Sequence, residues 1–203
     1  MNFGLLRVLN DDVVSGGQGF GKHPHENMEI ISIPLSGDLK HEDSMGNKTV
    51  IREGEIQVMS AGTGIFHSEY NANKEQAVEF LQIWIFPRSQ DIPPRYDQTE
   101  LNDLHLANKL HQVLSPNPSD QGVWIHQDAW FHIGTFNEGI ETVYPIKKEG
   151  NGIYAFVLEG SFDINGQRLE KRDALGIWET LELSIHSLDL NSRLLLIDVP
   201  MAF

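Results

Sequence analysis

Short apolar runs of strand length, separated by turn-forming residues, fill most of the chain. Three lie in the first half and two in the second: EIISIPLSGDL, EIQVMSAGTGI, AVEFLQIWIFP, GIYAFVLEGSFDINGQ and SRLLLIDVP. Clusters of Gly, Asn, Asp and Pro punctuate them, as expected between strands. The Asn-Gly pair in INGQ and the turn residues in DSMGNK predict hairpins. The pattern therefore predicts an all-β fold, a sandwich or barrel.

The middle of the chain breaks this pattern. One stretch, TELNDLHLANKLHQVL, has a weak helical periodicity and is the single helix that the sequence suggests. Five prolines fall between Pro87 and Gly122, which predicts a connector between two β units. We therefore expect one domain over residues 1–100 and a linker with a second domain over residues 101–203.

The two halves resemble each other weakly. SIPLSGDL aligns with AFVLEGSFDI when Gly37 is laid on Gly160, which suggests an internal duplication. A second alignment lays REGEIQVMS on KRDALGIWE, with Gly54-Glu55 on Arg172-Asp173, and there His67 falls on Ile185 and Glu69 on Ser187. Only the first half would then keep a polar set, so we assign the second half no chemistry.

Composition excludes several classes of function. The chain has 203 residues and no cysteine, so disulfides, thiolate nucleophiles and sulfur-bound metals are ruled out, which suits a reducing cytoplasm. The net charge is −14, spread evenly, and no basic patch for nucleic acid is visible. No apolar run approaches the ~20 residues of a membrane span, so we expect neither a nucleic-acid nor a membrane partner.

The segment GKHPHENMEI places two histidines with one residue between them. On a strand, residues i and i+2 point to one face about 7 Å apart, so His23 and His25 would converge. Pro24 cannot donate to a sheet ladder, which predicts a strand end or edge here. Glu29 has the same parity and is expected to face the same way.

A second pair with the same spacing follows in GIFHSEYN. His67 and Glu69 come after the small-residue turn SAGTG. Two neighbouring strands that each present such a pair inside a barrel would supply three imidazoles and one carboxylate. This donor set suits Fe, Ni, Cu, Zn or Mn, and four protein ligands leave coordination positions for a substrate.

Six other histidines have no comparable partner and are expected to be structural or exposed. His41 is the mild exception, because it could lie near the site on a following strand. The six are His41, His105, His111, His126, His132 and His186.

Longer motifs resemble a known family. HPHENME and REGEIQVMSAGTGIFHSEYN are similar to the two cupin motifs, and four segments resemble the pirin-like bicupins in order along the chain: GQGFGKHPHENMEI, HEDSMGN, MSAGTGIFHSEYN and QIWIFP. The resemblance implies two cupin domains in one chain. It also places His23, His25, His67 and Glu69 at the family's metal-ligand positions. Glu29 is then expected either to orient a ligand histidine or to be a buried, hydrogen-bonded carboxylate. Pirin-like chains usually carry a few dozen residues before the segment that matches the start of this sequence, so either the true start lies upstream or the protein is shortened at its N-terminus.

The resemblance implies a metal-dependent dioxygenase of the quercetin 2,3-dioxygenase type. Its substrates would be O2 and a flavonol-like aromatic compound, whose hydroxyl proton Glu69 would accept as general base. One divalent transition metal is expected, with iron favoured over Ni, Cu, Co, Mn or Zn. Two alternatives remain, a redox-responsive regulatory protein that binds a protein partner without turnover, and a metal-dependent isomerase.

Apolar walls are expected around a flat aromatic substrate. Four side chains near the ligands in sequence are candidates, with plain core packing as the alternative for each: Phe20, Met59, Ile65 and Phe66.

Overall fold

The computed structural model describes residues 2–102 and 107–202, and within them every regular element is a strand. The predicted all-β class is therefore confirmed, and the suggested helix is wrong where it can be compared. Its residues 99–100 end one strand and residues 109–114 lie in another, while residues 103–106, which include His105, lie outside the described ranges. No helix in the described part of the chain is long and apolar enough to cross a membrane.

The chain forms two compact units. Unit 1 comprises Leu6–Leu101 and Asn117–Gln127, and unit 2 comprises Phe3–Leu5, Asn102–Pro116 and the chain from Asp128 onward. The domain boundary expected near residue 100 stays a prediction. Strands also occupy part of the proline-rich connector, from Arg95 to Glu100 and from Lys109 to Ser115.

Unit 1 contains two antiparallel sheets. Its strands are β1 (Leu6–Val14), β2 (Gly19–His25), β3 (Glu29–Ser36), β4 (Leu39–Asp43), β5 (Lys48–Ile51), β6 (Glu55–Ser60), β7 (Ile65–Asn71), β8 (Val78–Ile85), β9 (Arg95–Glu100) and the short β11 (Val123–Trp124). The larger sheet has the order β1-β8-β3-β6-β9 and the smaller sheet has the order β2-β7-β4-β5. As Pro24 predicts, β2 is an edge strand.

The smaller sheet of unit 1 keeps a strict alternation along β7. Ile65, His67, Glu69 and Asn71 are buried, while the residues between them are exposed or half-buried. The two middle positions on the inward face of β7 are therefore not apolar. A histidine and a glutamate lie there instead, which is unusual for a buried face and makes this face a candidate functional site.

Unit 2 has the same kind of construction. Its strands are β10 (Lys109–Ser115), β12 (Trp130–Phe136), β13 (Glu141–Pro145), β14 (Asn151–Glu159), β15 (Phe162–Ile164), β16 (Gln167–Leu169), β17 (Ala174–Ile177), β18 (Glu182–Ser187) and β19 (Ser192–Pro200). One sheet contains the order β10-β12-β19-β14-β17 and the other has the order β13-β18-β15-β16. An apolar core that includes Phe136, Phe162 and Leu194 lies in this unit.

Local turn chemistry agrees with the sequence. Asn165 and Gly166 both adopt positive φ, 51° and 81°, and join β15 to β16 as the Asn-Gly hairpin predicts. Gly37 and Gly160, aligned in the weak repeat, also share positive φ and each follows a long strand. Ile185, which falls opposite His67 when Gly54 is laid on Arg172, is a buried apolar residue of the core of unit 2.

A buried histidine in unit 2 predicts a loss of stability in acid. His132 is 5% exposed beside the ring of Tyr144, and burial, with a smaller contribution from the charge of Lys147, lowers its pKa to about 3. The unfolded chain binds a proton at this histidine below about pH 6.5 and the folded chain does not. The free energy of unfolding should therefore fall as the pH drops from 6.5 towards 3.

Replacing His132 by phenylalanine should flatten this dependence. The expected difference between wild type and His132→Phe is on the order of 4 kcal/mol across that window. Denaturant unfolding of the full chain between pH 4 and pH 7 measures it, with the half-buried His186→Phe as control. Equal slopes for wild type and His132→Phe would show that His132 does not contribute to acid sensitivity.

Candidate metal centre

Three of the predicted ligand side chains converge on the inner face of the smaller sheet of unit 1. His23 on β2 lies directly opposite His67 on β7, and His25 lies opposite Ile65. Ligand atoms of His23, His25 and His67 all lie within 4.8 Å of one another. The alternation of side chains along two paired strands is what brings them together.

The orientation of His23 is fixed by a hydrogen bond. Its Nδ1 lies 2.7 Å from the carbonyl oxygen of Gly21, which only accepts, so Nδ1 carries the proton. The lone pair of a neutral ring is then on Nε2, and this atom is 3.1 Å from Nε2 of His67. Two adjacent ligands of one ion with ~2.1 Å bonds lie ~3.0 Å apart, so this spacing fits a shared metal.

An orphaned ring nitrogen supports the same interpretation. Within the part of the chain that the structure describes, His25 Nε2 is buried and has no hydrogen-bond partner. Burial, followed by the effect of His23, lowers the pKa of His25 to about 4 and that of His67 to about 3. Both rings are therefore neutral near pH 7, which is the form that a metal requires. The three side chains fit a divalent transition metal.

Glu69 lies on the same face of β7 but is held away from His23 and His25. Its Oε1 accepts a hydrogen bond of 2.8 Å from Ser32 Oγ, and its Oε2 accepts one from Gln82 Nε2. It groups instead with His41 and His67, again with ligand atoms within 4.8 Å of one another. Burial raises the pKa of Glu69 to about 7, against the opposing effect of Ser32 and Gln82.

Ser32 and Gln82 are site residues that the sequence analysis did not single out. They come from β3 and β8 of the larger sheet, 37 and 13 positions away from Glu69. Gln82 is further oriented because its Oε1 accepts a 3.1 Å hydrogen bond from Trp84 Nε1. The ring of Trp84 in turn contacts His25 edge-on, with centroids 4.9 Å apart. The signal available in the sequence is a lone polar residue inside each of two otherwise apolar runs.

The expectation that Glu29 faces the same way as His25 is wrong, and the alternative expected for it, a buried hydrogen-bonded carboxylate, is what the structure shows. Although its parity matches His25, Glu29 belongs to β3 of the larger sheet, and Asn27, with φ 48°, reverses the chain between the two strands. Strand parity does not carry across such a turn. The carboxylate of Glu29 is buried, accepts a 2.7 Å hydrogen bond from Ser60 and lies 3.3 Å from His126 Nδ1. It is a structural carboxylate of unit 1.

Two of the expected wall residues are core residues instead. Met59 and Ile65 are buried in an apolar cluster with Ile30. Phe66 points to the opposite face of β7 from His67 and is 48% exposed. Phe20 is opposite Glu69 in the register and 42% exposed, so it shares the face of the site and stands at its open side.

The remaining histidines divide as follows. His41, which the sequence analysis singled out as able to lie near the site, is fully buried, and its ring lies 5.5 Å from that of His67. Four others belong to no group of three or more candidate ligands in the described part of the chain: His111, His126, His132 and His186.

A glycine turn sets the entry of β7. Gly62 has φ 47°, and a Cβ placed there would lie 1.9 Å from the carbonyl oxygen of Ile92. Its own carbonyl accepts a hydrogen bond from Asn27 N, so the turn joins three loops near the site. Gly62 therefore has both a conformational and a steric reason to lack a side chain.

Replacing Gly62 by alanine should lower the free energy of unfolding by about 3 kcal/mol. Gly54→Ala is the matched control, because Gly54 has φ 83° but open space around the added Cβ, and it should cost only about 1 kcal/mol. Denaturant unfolding of the two variants measures the difference. Similar values for both would mean that the contact with Ile92 relaxes freely.

Comparison with known proteins agrees with this architecture. The family model Pirin matches residues 2–85, and the model of the quercetinase C-terminal cupin domain matches residues 112–199. A quercetin 2,3-dioxygenase of Escherichia coli K12 is 42% identical over 98% of this chain and 84% of its own length. The chain belongs to the pirin family of bicupins. A pirin-like protein of Caulobacter vibrioides is 36% identical over the same shares.

Solved structures add the metal chemistry of a relative. The bacterial pirin YhhW from E. coli, in complex with nickel(II), superimposes with a TM-score of 0.91 at 40% identity, over 98% of this chain and 84% of that chain. A quercetin 2,3-dioxygenase from Acinetobacter baumannii superimposes with a TM-score of 0.82 at 24% identity, over 98% and 76%, which concerns the fold alone. This chain, with three imidazoles converging on one sheet face, is thus similar to a pirin that binds nickel(II).

Proposed function

We propose that this pirin is a metal-dependent dioxygenase of the quercetin 2,3-dioxygenase type, which opens the flavonol C-ring with O2 and releases carbon monoxide. The observation that carries the proposal is the convergence of His23, His25 and His67, with the buried Nε2 of His25 lacking a hydrogen-bond partner in the described part of the chain. The name of the E. coli relative, 42% identical, supports the choice of reaction.

The ligand set we propose is His23, His25, His67 and Glu69, with one divalent ion. Iron is the ion we propose for the protein in the cell, and nickel is the first alternative because the E. coli pirin binds nickel(II). When bound, the ion polarises the 3-hydroxyl of the flavonol and lowers its pKa.

Glu69 is the group we propose to accept the hydroxyl proton. It is a carboxylate that groups with His67, and hydrogen bonds from Ser32 and Gln82 fix both of its oxygens. These two donors prevent the carboxylate from turning away and set the direction from which it meets a substrate. Proton transfer by a positioned carboxylate typically contributes 10²–10⁴-fold to a rate.

The substrate enters on the half-buried side of the cluster. His23 and His25 are partly exposed, whereas His67 is 1% exposed, so access is from the β2 side. Phe20 on the same face offers a ring for a flat aromatic compound, and Trp84 closes the far side of His25. Aromatic walls with few polar groups are typical of sites for planar ligands.

Oxygen uptake with quercetin tests the proposal. The protein is reconstituted separately with Fe²⁺, Ni²⁺, Co²⁺ or Cu²⁺, bound metal is measured, and O2 consumption and carbon monoxide release are followed. The proposal predicts equal amounts of both gases with at least one ion. Protein that binds each ion and consumes no oxygen with any of them would contradict the proposed reaction.

A further inference from the structure

A second group of ligand-type side chains lies deeper on the same sheet face. His41 on β4 is directly opposite Glu69 on β7, and both are buried, at 0% and 1% exposure. His67 is next to Glu69 along the inward face of β7, and its ring lies 5.5 Å from that of His41. Ligand atoms of the three residues lie within 4.8 Å of one another. We call His41, His67 and Glu69 the inner triad.

The ring of His41 is oriented by a fixed carboxylate. Its Nε2 lies 3.2 Å from Asp43 Oδ2, and Asp43 also accepts hydrogen bonds from Asn47 Nδ2 and from the backbone N–H groups of Met45 and Asn47. Because a carboxylate accepts, Nε2 of His41 carries the proton. A carboxylate that orients a histidine in this way is the usual outer partner of a metal ligand.

The opposite nitrogen of His41 has no partner. Nδ1 is buried and makes no hydrogen bond within the described residues, so its lone pair is unsatisfied there. The contact of the ring with Tyr96, at 4.9 Å between centroids, is through the π faces and leaves Nδ1 unsatisfied. A buried lone pair without a donor suggests a missing cation or proton.

The spacing of the triad suits a transition metal. An ion with ~2.1 Å bonds holds two ligand atoms up to ~4.2 Å apart. Displacements of each ligand atom by well under ~1 Å would therefore bring all three groups within bonding distance of one ion. Two imidazoles and one carboxylate are a donor set that Fe²⁺, Co²⁺, Ni²⁺ and Zn²⁺ accept. The partly exposed cluster of His23, His25 and His67, here called the outer cluster, supplies an entry path.

We propose that the inner triad is a second position for the same class of divalent transition metal. Since His67 belongs to both groups, the two positions are alternatives, and one ion occupies either of them. The proposal rests on the proposed metal centre through His67 and Glu69, but not on flavonol turnover. The three side chains of the inner triad are at most 1% exposed, so an ion held there is less accessible to substrate and O2 than one in the outer cluster.

Cobalt titration of the full chain tests the proposal. Wild type should bind one Co²⁺, and His23→Ala/His25→Ala, which leaves only the inner triad, should still bind one Co²⁺ with about 10–100-fold weaker affinity. Adding His41→Phe should weaken binding by a further 100-fold or more, and this substitution keeps a ring against Tyr96. Adding His186→Ala instead, in unit 2, should change nothing.

Three results would contradict the proposed inner position. Wild type that binds Co²⁺ while the double variant binds none overturns the inner position and leaves the proposed function in place. Equal Co²⁺ affinity in the double variant with and without His41→Phe also overturns it. Wild type that binds no metal removes both the inner position and the metal centre of the proposed function. Near-ultraviolet circular dichroism of each metal-free variant shows that its fold is retained.

Discussion

Replacing His67 by alanine is expected to lower the affinity for Ni²⁺ or Co²⁺ by about 10³-fold or more. His67 is common to both groups of candidate ligands and is 1% exposed. Loss of an outer-sphere partner alone typically costs 10–100-fold in metal affinity, so loss of a shared ligand should cost more. His23→Ala should have a smaller effect, because it removes a ligand from the outer cluster alone.

Equilibrium titration with a competing chelator measures these affinities. His186→Ala serves as the control, since His186 belongs to no candidate group among the described residues. The melting temperature of each metal-free variant must stay close to that of wild type for the comparison to concern the ligand. A His67→Ala protein that binds metal as tightly as wild type would show that the imidazoles converge for another reason.

Replacing Glu69 by glutamine is expected to slow quercetin-dependent oxygen uptake by 10²–10⁴-fold while the fold is kept. The amide has the shape of the carboxylate. Its carbonyl oxygen can still accept from Gln82 Nε2, and its NH2 group can donate to the hydroxyl of Ser32. The substitution therefore removes proton acceptance and leaves the hydrogen bonds of the site satisfied.

Metal content and turnover separate the two roles of Glu69. If metal is retained and turnover is lost, Glu69 acts as the base. If metal is lost as well, it acts as a ligand, and the role as base has no support. Ser32→Ala is the matched control, because it removes one hydrogen bond to Glu69 and keeps the carboxylate; it should slow turnover by about tenfold or less. Unchanged turnover in Glu69→Gln would contradict both roles.

Several local features of both units can be predicted from short patterns in the sequence. The alternation along β7 and the i, i+2 spacing of His23 and His25 predict side chains on one face of a strand, and the structure has them there. Asn165-Gly166 likewise predicts its hairpin from two residues. In each case the interactions that determine the feature lie within a few residues of one another, so the local sequence is enough to predict it.

The pairing of strands that are distant along the chain could not be predicted from the sequence. The position of Glu69 depends on Ser32 and Gln82, which reach it from the other sheet. His41 meets Glu69 only through the register of β4 on β7. A one-residue slip would turn His41 to the opposite face, and no local feature fixes that register. The error on Glu29 has the same origin, because a single positive-φ residue at Asn27 ended the strand whose parity was being counted.

X-ray absorption at the nickel edge of the nickel-loaded full chain tests the central claim most directly. The account predicts about three imidazole nitrogens at about 2.0–2.1 Å, with the outer-ring scattering that imidazole gives, for wild type. His23→Ala/His25→Ala should lose at least one of them. A first coordination sphere made of oxygen atoms alone in wild type would contradict the claim that these histidines bind one ion.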